Sequence, residues 1–517
     1  MNRATKSTAN GITANIDFIP HVAKGATINL TGAITRTVLL YVYTLMLARL
    51  LSANELGEYF MMLTIINILG MASTVGVDVG VVRYTALFAG ENKYGLVRRS
   101  LRVGLAIGIP ASIVSAIALI GIAPFLGVKL FDGNEDIVTS LRIFALAVPF
   151  WVIARLLNAT TQGLHRMKYQ VYSRDFGEQI SKLMFSAMAI IFGFGVLGVT
   201  FANVSSMLIA ALMSMVFVIM VLPAPLSVKT PAEPLTKRII RYSLPLAFSN
   251  IFGMFLLWTD TLLLGYFRTT TEVGYYVAAL KVVVVTSTII TAFGTVFSPV
   301  IADLYNRHEE AHLNELFKTV SRWMYVCSYP IFLLFLLFSE QIMRVFGSEY
   351  TVSNRVLVIL AVGQLINATV GSAGFVVMMS GKSHLELLNI SLSLIVNIAL
   401  CFLLIPSYGA IGAAIANMTS LVIVNIMRAS ELWIIIRIHA YDFRYIKPFI
   451  AGAAGAIITI LAGSYVLTEK GLLEEAVLVA VLLVTYIAAM LAMGLDEQDK
   501  KVLKLIKNRL RRGIATA

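Results

Sequence analysis

The sequence predicts an all-α polytopic membrane protein, and two observations predict it. Of its 517 residues, 58% are hydrophobic and only 13% charged. That is about half the charged share of an ordinary soluble domain, so these residues cannot assemble a water-facing surface. Mean hydropathy is +0.84. The apolar residues also fall in long continuous runs, as a helix of roughly 20 residues crossing a hydrocarbon core requires. An outer-membrane barrel would instead show alternating segments of about ten residues. The same composition excludes a disordered chain, and two cysteines are too few for a disulfide framework.

In chain order, residues 1–23 are rich in Thr, Asn and Ala and lack an apolar core followed by a small-residue cleavage site. They read as a cytoplasmic segment, not a secretory signal. Six apolar runs follow, at 24–49, 54–83, 100–123, 137–162, 175–195 and 200–222. Residues 223–242 carry Pro223, Pro225, Pro231 and Pro234, which favour an extended cytoplasmic linker. Six more runs lie at 243–267, 272–302, 321–338, 352–380, 385–405 and 409–437, and a last pair at 446–468 and 474–494. In the tail 495–517, the leucines and isoleucine between Lys500 and Arg512 have the spacing of an amphipathic helix lying on an anionic inner leaflet. Fourteen spans put both termini on one side. The cations agree with that topology, because the segments predicted outside hold only Arg49, Lys129, Arg268, Arg344, Arg355 and Lys470, as the positive-inside rule requires. Most of the +13 net charge therefore orients helices and gives no reason to invoke nucleic acid.

The chain repeats internally. Glu55-Leu-Gly57-Glu-Tyr59 matches Glu272-Val-Gly274-Tyr-Tyr276 at an offset of 217, Gly198 to Ser206 matches Gly412 to Ser420 at 214, and the stretch around Arg142 resembles that around Arg355 at 213. The matches fall in corresponding spans, giving an N-lobe over 24–222, a C-lobe over 243–437 and two extra helices over 438–494. Six is even, so both lobes enter from the same side. Transporters built this way place substrate between the lobes and rock one against the other. Gly57 and Gly274 each sit just inside a span, where a missing side chain permits close helix approach, and Gly409, Gly412, Ala413 and Ala416 offer a small-residue face.

The stretch from Leu47 to Tyr59, its echo at Glu272–Tyr276, and Ile405-Pro406-Ser-Tyr-Gly409-Ala-Ile-Gly412-Ala-Ala-Ile-Ala416 resemble the polysaccharide transporter family of the multidrug/oligosaccharidyl-lipid/polysaccharide exporter superfamily. The resemblance covers about residues 22 to 495. It implies a fold like the multidrug and toxin extrusion transporters, with a V-shaped cavity between two six-helix lobes. It also implies movement of a polyprenyl-diphosphate-linked oligosaccharide from the cytoplasmic to the outer leaflet of the cell membrane. The expected partners are that substrate, inner-leaflet lipids at the basic tail, and glycan polymerase or other biosynthesis proteins. The expected state is a monomer.

Ionisable residues in mid-span are costly and face cavities, so they are the candidates for function. Arg36 lies in span one, Asp78 in span two, Arg142 and Arg155 in span four, Asp260 in span seven, Lys281 in span eight and Arg428 in span twelve. Arg36, Arg155, Lys281, Arg428 and Arg142 are expected to meet the diphosphate, since arginine forks suit phosphate oxygens. Arg142, near a helix end, also fits snorkelling to headgroups. Asp260 and Asp78 are expected to tune those charges or to couple a cation. No cofactor is expected; the membrane potential, or a sodium or proton gradient, is left open as the energy source. Glu178 and Lys182, four residues apart, read as a local ion pair.

His308-Glu309-Glu-Ala-His312 satisfies H-E-x-x-H, yet its first-lobe counterpart at Glu91 to Gly95 has no histidine, and a solvated polar helix is the expectation. No Walker sequence is present. A membrane enzyme of glycan assembly would need a sizeable outer loop, and the longest here runs only from Phe125 to Asp136. Transport is therefore expected over catalysis, with drug or cation efflux as the alternative within transport.

Overall fold

A computed structural model describes residues 31–131, 133–222, 235–465 and 472–494. The N-terminal segment, the proline-rich part of the linker and the basic tail lie outside them. Among the described residues there are helices and no strands. The first lobe contains α1 (Thr31–Leu50), α2 (Ala53–Thr74), α3 (Val77–Gly90), α4 (Tyr94–Leu130), α5 (Glu135–Ala145), α6 (Ala147–Gly163), α7 (Met167–Gln170), a π-helical segment (Val171–Gly177), α8 (Glu178–Ile191) and α9 (Gly195–Val221). The second contains α10 (Leu235–Phe267), α11 (Thr270–Asn306), α12 (Glu310–Leu337), α13 (Ser339–Arg344), α14 (Asn354–Val370), α15 (Ala373–Met379) and α16 (Ser383–Glu431). The extra pair is α17 (Ile446–Tyr465) and α18 (Leu472–Ala492). It docks on α12 through Tyr329, Leu333, Ala451, Leu482 and Tyr486, and Tyr486 donates to the Val326 carbonyl at 2.9 Å.

The lobes meet where their repeats coincide. Ser52 and Glu55 cap α2 reciprocally, and Thr269 accepts from the Glu272 backbone N–H to cap α11, so both helices start on the same signal. There the two helices cross. A Cβ on Gly57 would overlap the Thr270 carbonyl, and one on Gly274 would overlap the Ala53 carbonyl. Each glycine is thus required by the other lobe's backbone, and the largest apolar core, with Leu56, Tyr59, Met61, Val273, Tyr276 and Tyr350, closes around the crossing. At the other end of the molecule α3 leans on α10. There the Arg83 guanidinium lies 4.0 Å from the Tyr242 ring centre, and Tyr84 donates to the Arg238 carbonyl.

Twelve helices among the described residues are long and apolar enough to cross a membrane, against fourteen expected. Two places make the difference. The expected fifth span is only the 14-residue α8, following the π-helical segment. The expected eleventh and twelfth are both present as the two arms of α16, which part at the non-helical Gly409 and fold back on each other, so that Arg428 of the second arm meets Glu386 of the first. Gly409 kinks α16, with φ 55° and ψ −132°, a backbone setting that L side chains avoid. The kink is held from α10 and α11: Arg268 donates to the Ile405 and Pro406 carbonyls at 3.2 and 2.8 Å, and Glu272 accepts from the Ala410 N–H at 3.1 Å. Span two breaks at Val75 and Gly76, both left-handed. Residues 235–242, expected in the linker, form the first turns of α10. His308 has φ 58° and precedes α12, so His308 and His312 do not share one helix as zinc ligation by H-E-x-x-H needs.

Candidate functional site

The break in span two places Asp78 in the first turn of α3, where a helix N-terminus favours an acid. Arg155 on α6 donates from Nε to Asp78 Oδ2 at 2.8 Å and lies 5.2 Å over the Trp151 ring. The other carboxylate oxygen, Oδ1, is buried without a partner. A cavity of about 360 Å³ opens here, lined among others by Asp78, Arg155, Asn158, Arg174, Glu178 and, from the second lobe, Asn250. The π-helical segment turns Arg174 into that cavity and buries Asp175. Asp175 Oδ1 lies 3.1 Å from Arg174 Nε and 3.7 Å from Arg36 Nε.

Deeper between the lobes stand two lysines. Lys182 of α8 is buried, with Nζ 4.9 Å from the centre of the Tyr43 ring. Lys281 of α11 lies with Nζ 5.1 Å over Phe60. Each is within electrostatic reach of the other, and Glu178 and Arg36 are both within reach of Lys182. Among the described residues neither lysine has an acidic partner within ion-pair distance, whereas the neighbouring arginines do. Five cations, Arg36, Arg155, Arg174, Lys182 and Lys281, therefore face three acids, Asp78, Asp175 and Glu178. The surplus is positive, in a setting of low dielectric where charge acts strongly.

Residues 22–305 match the model of the polysaccharide biosynthesis protein family, and residues 245–403 match the MatE model. The first match covers more than half of the chain. The chain belongs to the polysaccharide biosynthesis protein family. It is 28% identical over 207 residues to a "Probable low-salt glycan biosynthesis flippase Agl15" of Haloferax volcanii, over 40% of this chain and 44% of that relative, so the match spans less than half of the relative's length. Among solved structures it is similar to lipid II flippase MurJ in an inward closed conformation, with TM-score 0.71 and 12% identity over 89% of this chain and 97% of that one. It is also similar to a multidrug resistance MATE family transporter in its inward-facing conformation, with TM-score 0.66 and 13% identity over 78% of this chain and 96% of that one. These likenesses establish the helical two-lobed fold.

In this polysaccharide biosynthesis family protein, the expected site residues separate into groups. Arg155 and Asp78 come together directly, Arg36 pairs with Asp175, whose other partner Arg174 lines the same cavity, and Lys281 approaches from the other lobe. Arg428 does not reach this group: it is clamped by both oxygens of Glu386 within α16. Arg142 is exposed at the end of α5, and its repeat counterpart Arg355 is exposed as well. Asp260 is fully buried and meets none of the cations. It accepts from the Thr261 N–H and the Asn417 amide, each at 2.7 Å, and from the Tyr276 hydroxyl. Glu178 and Lys182 make no ion pair at 4 Å or less; Glu178 lines the cavity instead. Arg174 and Asp175 are not among the expected site residues, because they fall at the cytoplasmic start of the expected fifth span and not in its middle, and the π-helical turn that buries Asp175 has no sequence signature of its own.

Proposed function

We propose that the protein is a flippase, moving a polyprenyl-diphosphate-linked oligosaccharide from the cytoplasmic to the outer leaflet of the cell membrane by alternating access between its lobes. The observation that carries this reading is the pair Lys182 and Lys281, one from each lobe and neither with an acid within ion-pair distance among the described residues. A diphosphate drawn between them supplies the missing negative charge and ties the lobes together while it is bound, which is what coupling substrate to lobe motion requires. Arg36, Arg155 and Arg174 hold the approach to that point, each already oriented by a carboxylate. Family membership and the glycan flippase relative support the substrate class. The distribution of Lys and Arg supports both termini in the cytoplasm. The reading is of a transporter and not an enzyme, with a monomer as the working unit and glycan polymerases as neighbours in the pathway.

An inside-negative potential pushes the diphosphate outward, at about 2.3 kcal/mol per charge per 100 mV. A coupling cation adds to this. Asp78 is committed to Arg155, which leaves Asp260 as the coupling carboxylate. Lys281→Gln keeps most of the length of the side chain and removes the charge. Cells carrying it as their only copy are expected to accumulate lipid-linked glycan on the inner leaflet at normal protein level; full surface glycan in that strain rules the reading out.

A further inference from the structure

Asp260 sits deep in the C-lobe, and α16 carries a row of buried polar side chains toward it. Asn389, Ser393 and Asn397 recur every fourth residue, so they lie on one face of the helix at a spacing of about 6 Å. All three are fully buried. Among the described residues each keeps a polar atom without a partner: Asn389 Oδ1, Ser393 Oγ and Asn397 Nδ2. At one end of the row is Glu386, paired with Arg428, one turn from the start of α16. At the other, the Cys401 thiol approaches Asn397 Oδ1 at 3.8 Å and lies within electrostatic reach of Asp260 and Tyr276. Thr259 Oγ1, beside Asp260 on α10, is buried and unpartnered too.

Three orphaned polar atoms on one face of a membrane helix are expensive, since a buried donor or acceptor without a partner forfeits its hydration. Internal water meets that cost where the groups are polar and close enough to share it. A 6 Å rung spacing is bridged by a single water donating to one side chain and accepting from the next.

We propose that the face Asn389–Ser393–Asn397 carries a file of bound water that conducts protons between Asp260 and the Glu386 end of α16. This rests on the flippase reading and names its coupling ion. The step is simple in balance: the neutral Asp260 acid gives its proton to the first water and becomes a carboxylate, each water passes one proton on toward Glu386, and the same file run in reverse reprotonates the carboxylate. A proton suits the site better than sodium. Sodium asks for a cage of free oxygen ligands, and the Asp260 carboxylate is already occupied by the Thr261 N–H, the Asn417 amide and the Tyr276 hydroxyl; those donors steady the ionised acid, and it is burial with no cation in contact that a proton relieves. The ionisable groups around it are Tyr276 from α11 and Cys401 from α16, with the Glu386–Arg428 pair at the far end of the row. Among the described residues no cation contacts Asp260.

Two measurements test this. In a background with Cys327→Ala and Cys401→Ala, Ser393→Cys and the buried neighbour Leu394→Cys are exposed to hydroxyl radicals generated by X-rays from water in place. Cysteine at 393 is expected to oxidise several-fold faster than at 394; equal rates mean a dry face and overturn the proposal. Infrared difference spectra after a pH jump then follow the carboxylic acid band that Asp260→Asn removes. In Asn397→Leu this band is expected to form roughly tenfold more slowly than in the unsubstituted protein. An unchanged rate overturns the path, and a band that never forms at acid pH overturns proton binding at Asp260. Either failure leaves the Lys281→Gln result untouched, so the coupling ion and the flippase reading fail separately.

Discussion

The two lobes build the same polar node from different chemistry. In the first, Tyr43 and Asn203 both donate to the Tyr59 hydroxyl, at 2.9 and 2.6 Å. In the second, Tyr276 and Asn417 stand where the repeat places the counterparts of Tyr59 and Asn203, and Asp260 follows Tyr43 by the same 217 residues that separate Tyr59 from Tyr276. There Tyr276 and Asn417 both donate to one Asp260 oxygen. A phenol in one lobe is a carboxylate in the other, at equal depth. The N-lobe keeps its acids elsewhere, with Asp78 and Asp175 each held by arginine. Those two aspartates are fixed in arginine pairs, while in the C-lobe Asp260 stands among neutral donors. An unpaired buried charge is costly, so Asp260 is the group with most to gain from taking up a cation. On the proposed reading, one scaffold is divided into a lobe that grips and a lobe that responds.

What the lobes share should break first and equally. At the α2–α11 crossing, Gly57 and Gly274 each face the other lobe's backbone carbonyl, which cannot swing aside as a side chain can. Gly57→Val and Gly274→Val are each expected to cost about 3 kcal/mol, the upper end for overpacking, read as matched falls in the thermal unfolding midpoint of the purified protein. A large loss at one glycine and none at the other would show that the crossing is not reciprocal.

What the lobes do not share should break unequally. Asp260→Asn keeps the size of the side chain and removes its ability to exchange a proton, and export of lipid-linked glycan is expected to fall about tenfold, a barrier change near 1.4 kcal/mol. Tyr43→Phe removes one buried hydrogen bond from the N-lobe node. It is expected to cost about 1 kcal/mol of stability and to leave export close to normal. Surface glycan measured alongside unfolding midpoints separates the two, and equal loss of export in both variants would end the division of labour.

Much of this architecture is legible in the sequence because hydropathy and spacing carry it. The repeat of Glu55–Tyr59 at Glu272–Tyr276 locates the crossing, and depth in a span singles out Asp78, Arg155, Lys281 and Asp260. The partners of those residues are not legible. Asp78 meets Arg155 only because α2 breaks at Val75 and Gly76, and a valine gives no hint of a left-handed backbone. Arg428 reads as a free cation because its acid, Glu386, is 42 residues away across the α16 kink. The Tyr43–Asp260 correspondence hides for another reason: residue matching finds repeats where chemistry is kept, and here the chemistry is what changed.

The smallest expected difference lies at the rim of the lobes. Arg268 and Arg49 each donate to two carbonyls, but Arg268 reaches Ile405 and Pro406 in its own lobe, whereas Arg49 reaches Val345 and Arg344 in the other, at 2.6 and 3.3 Å. The carbonyl end of a short helix such as α13 attracts a cation. Removing Arg268 leaves the kinked backbone of α16 short of donors, while removing Arg49 frees one lobe from the other. Arg268→Ala is therefore expected to lower stability by about 1 kcal/mol with the distance between lobes unchanged. Arg49→Ala is expected to leave stability nearly intact and to shift spin-label distances between Glu135→Cys and Glu349→Cys toward longer values. If Arg49→Ala leaves that distribution unmoved, the contact does not latch the lobes, and the α2–α11 crossing alone holds that end of the molecule closed.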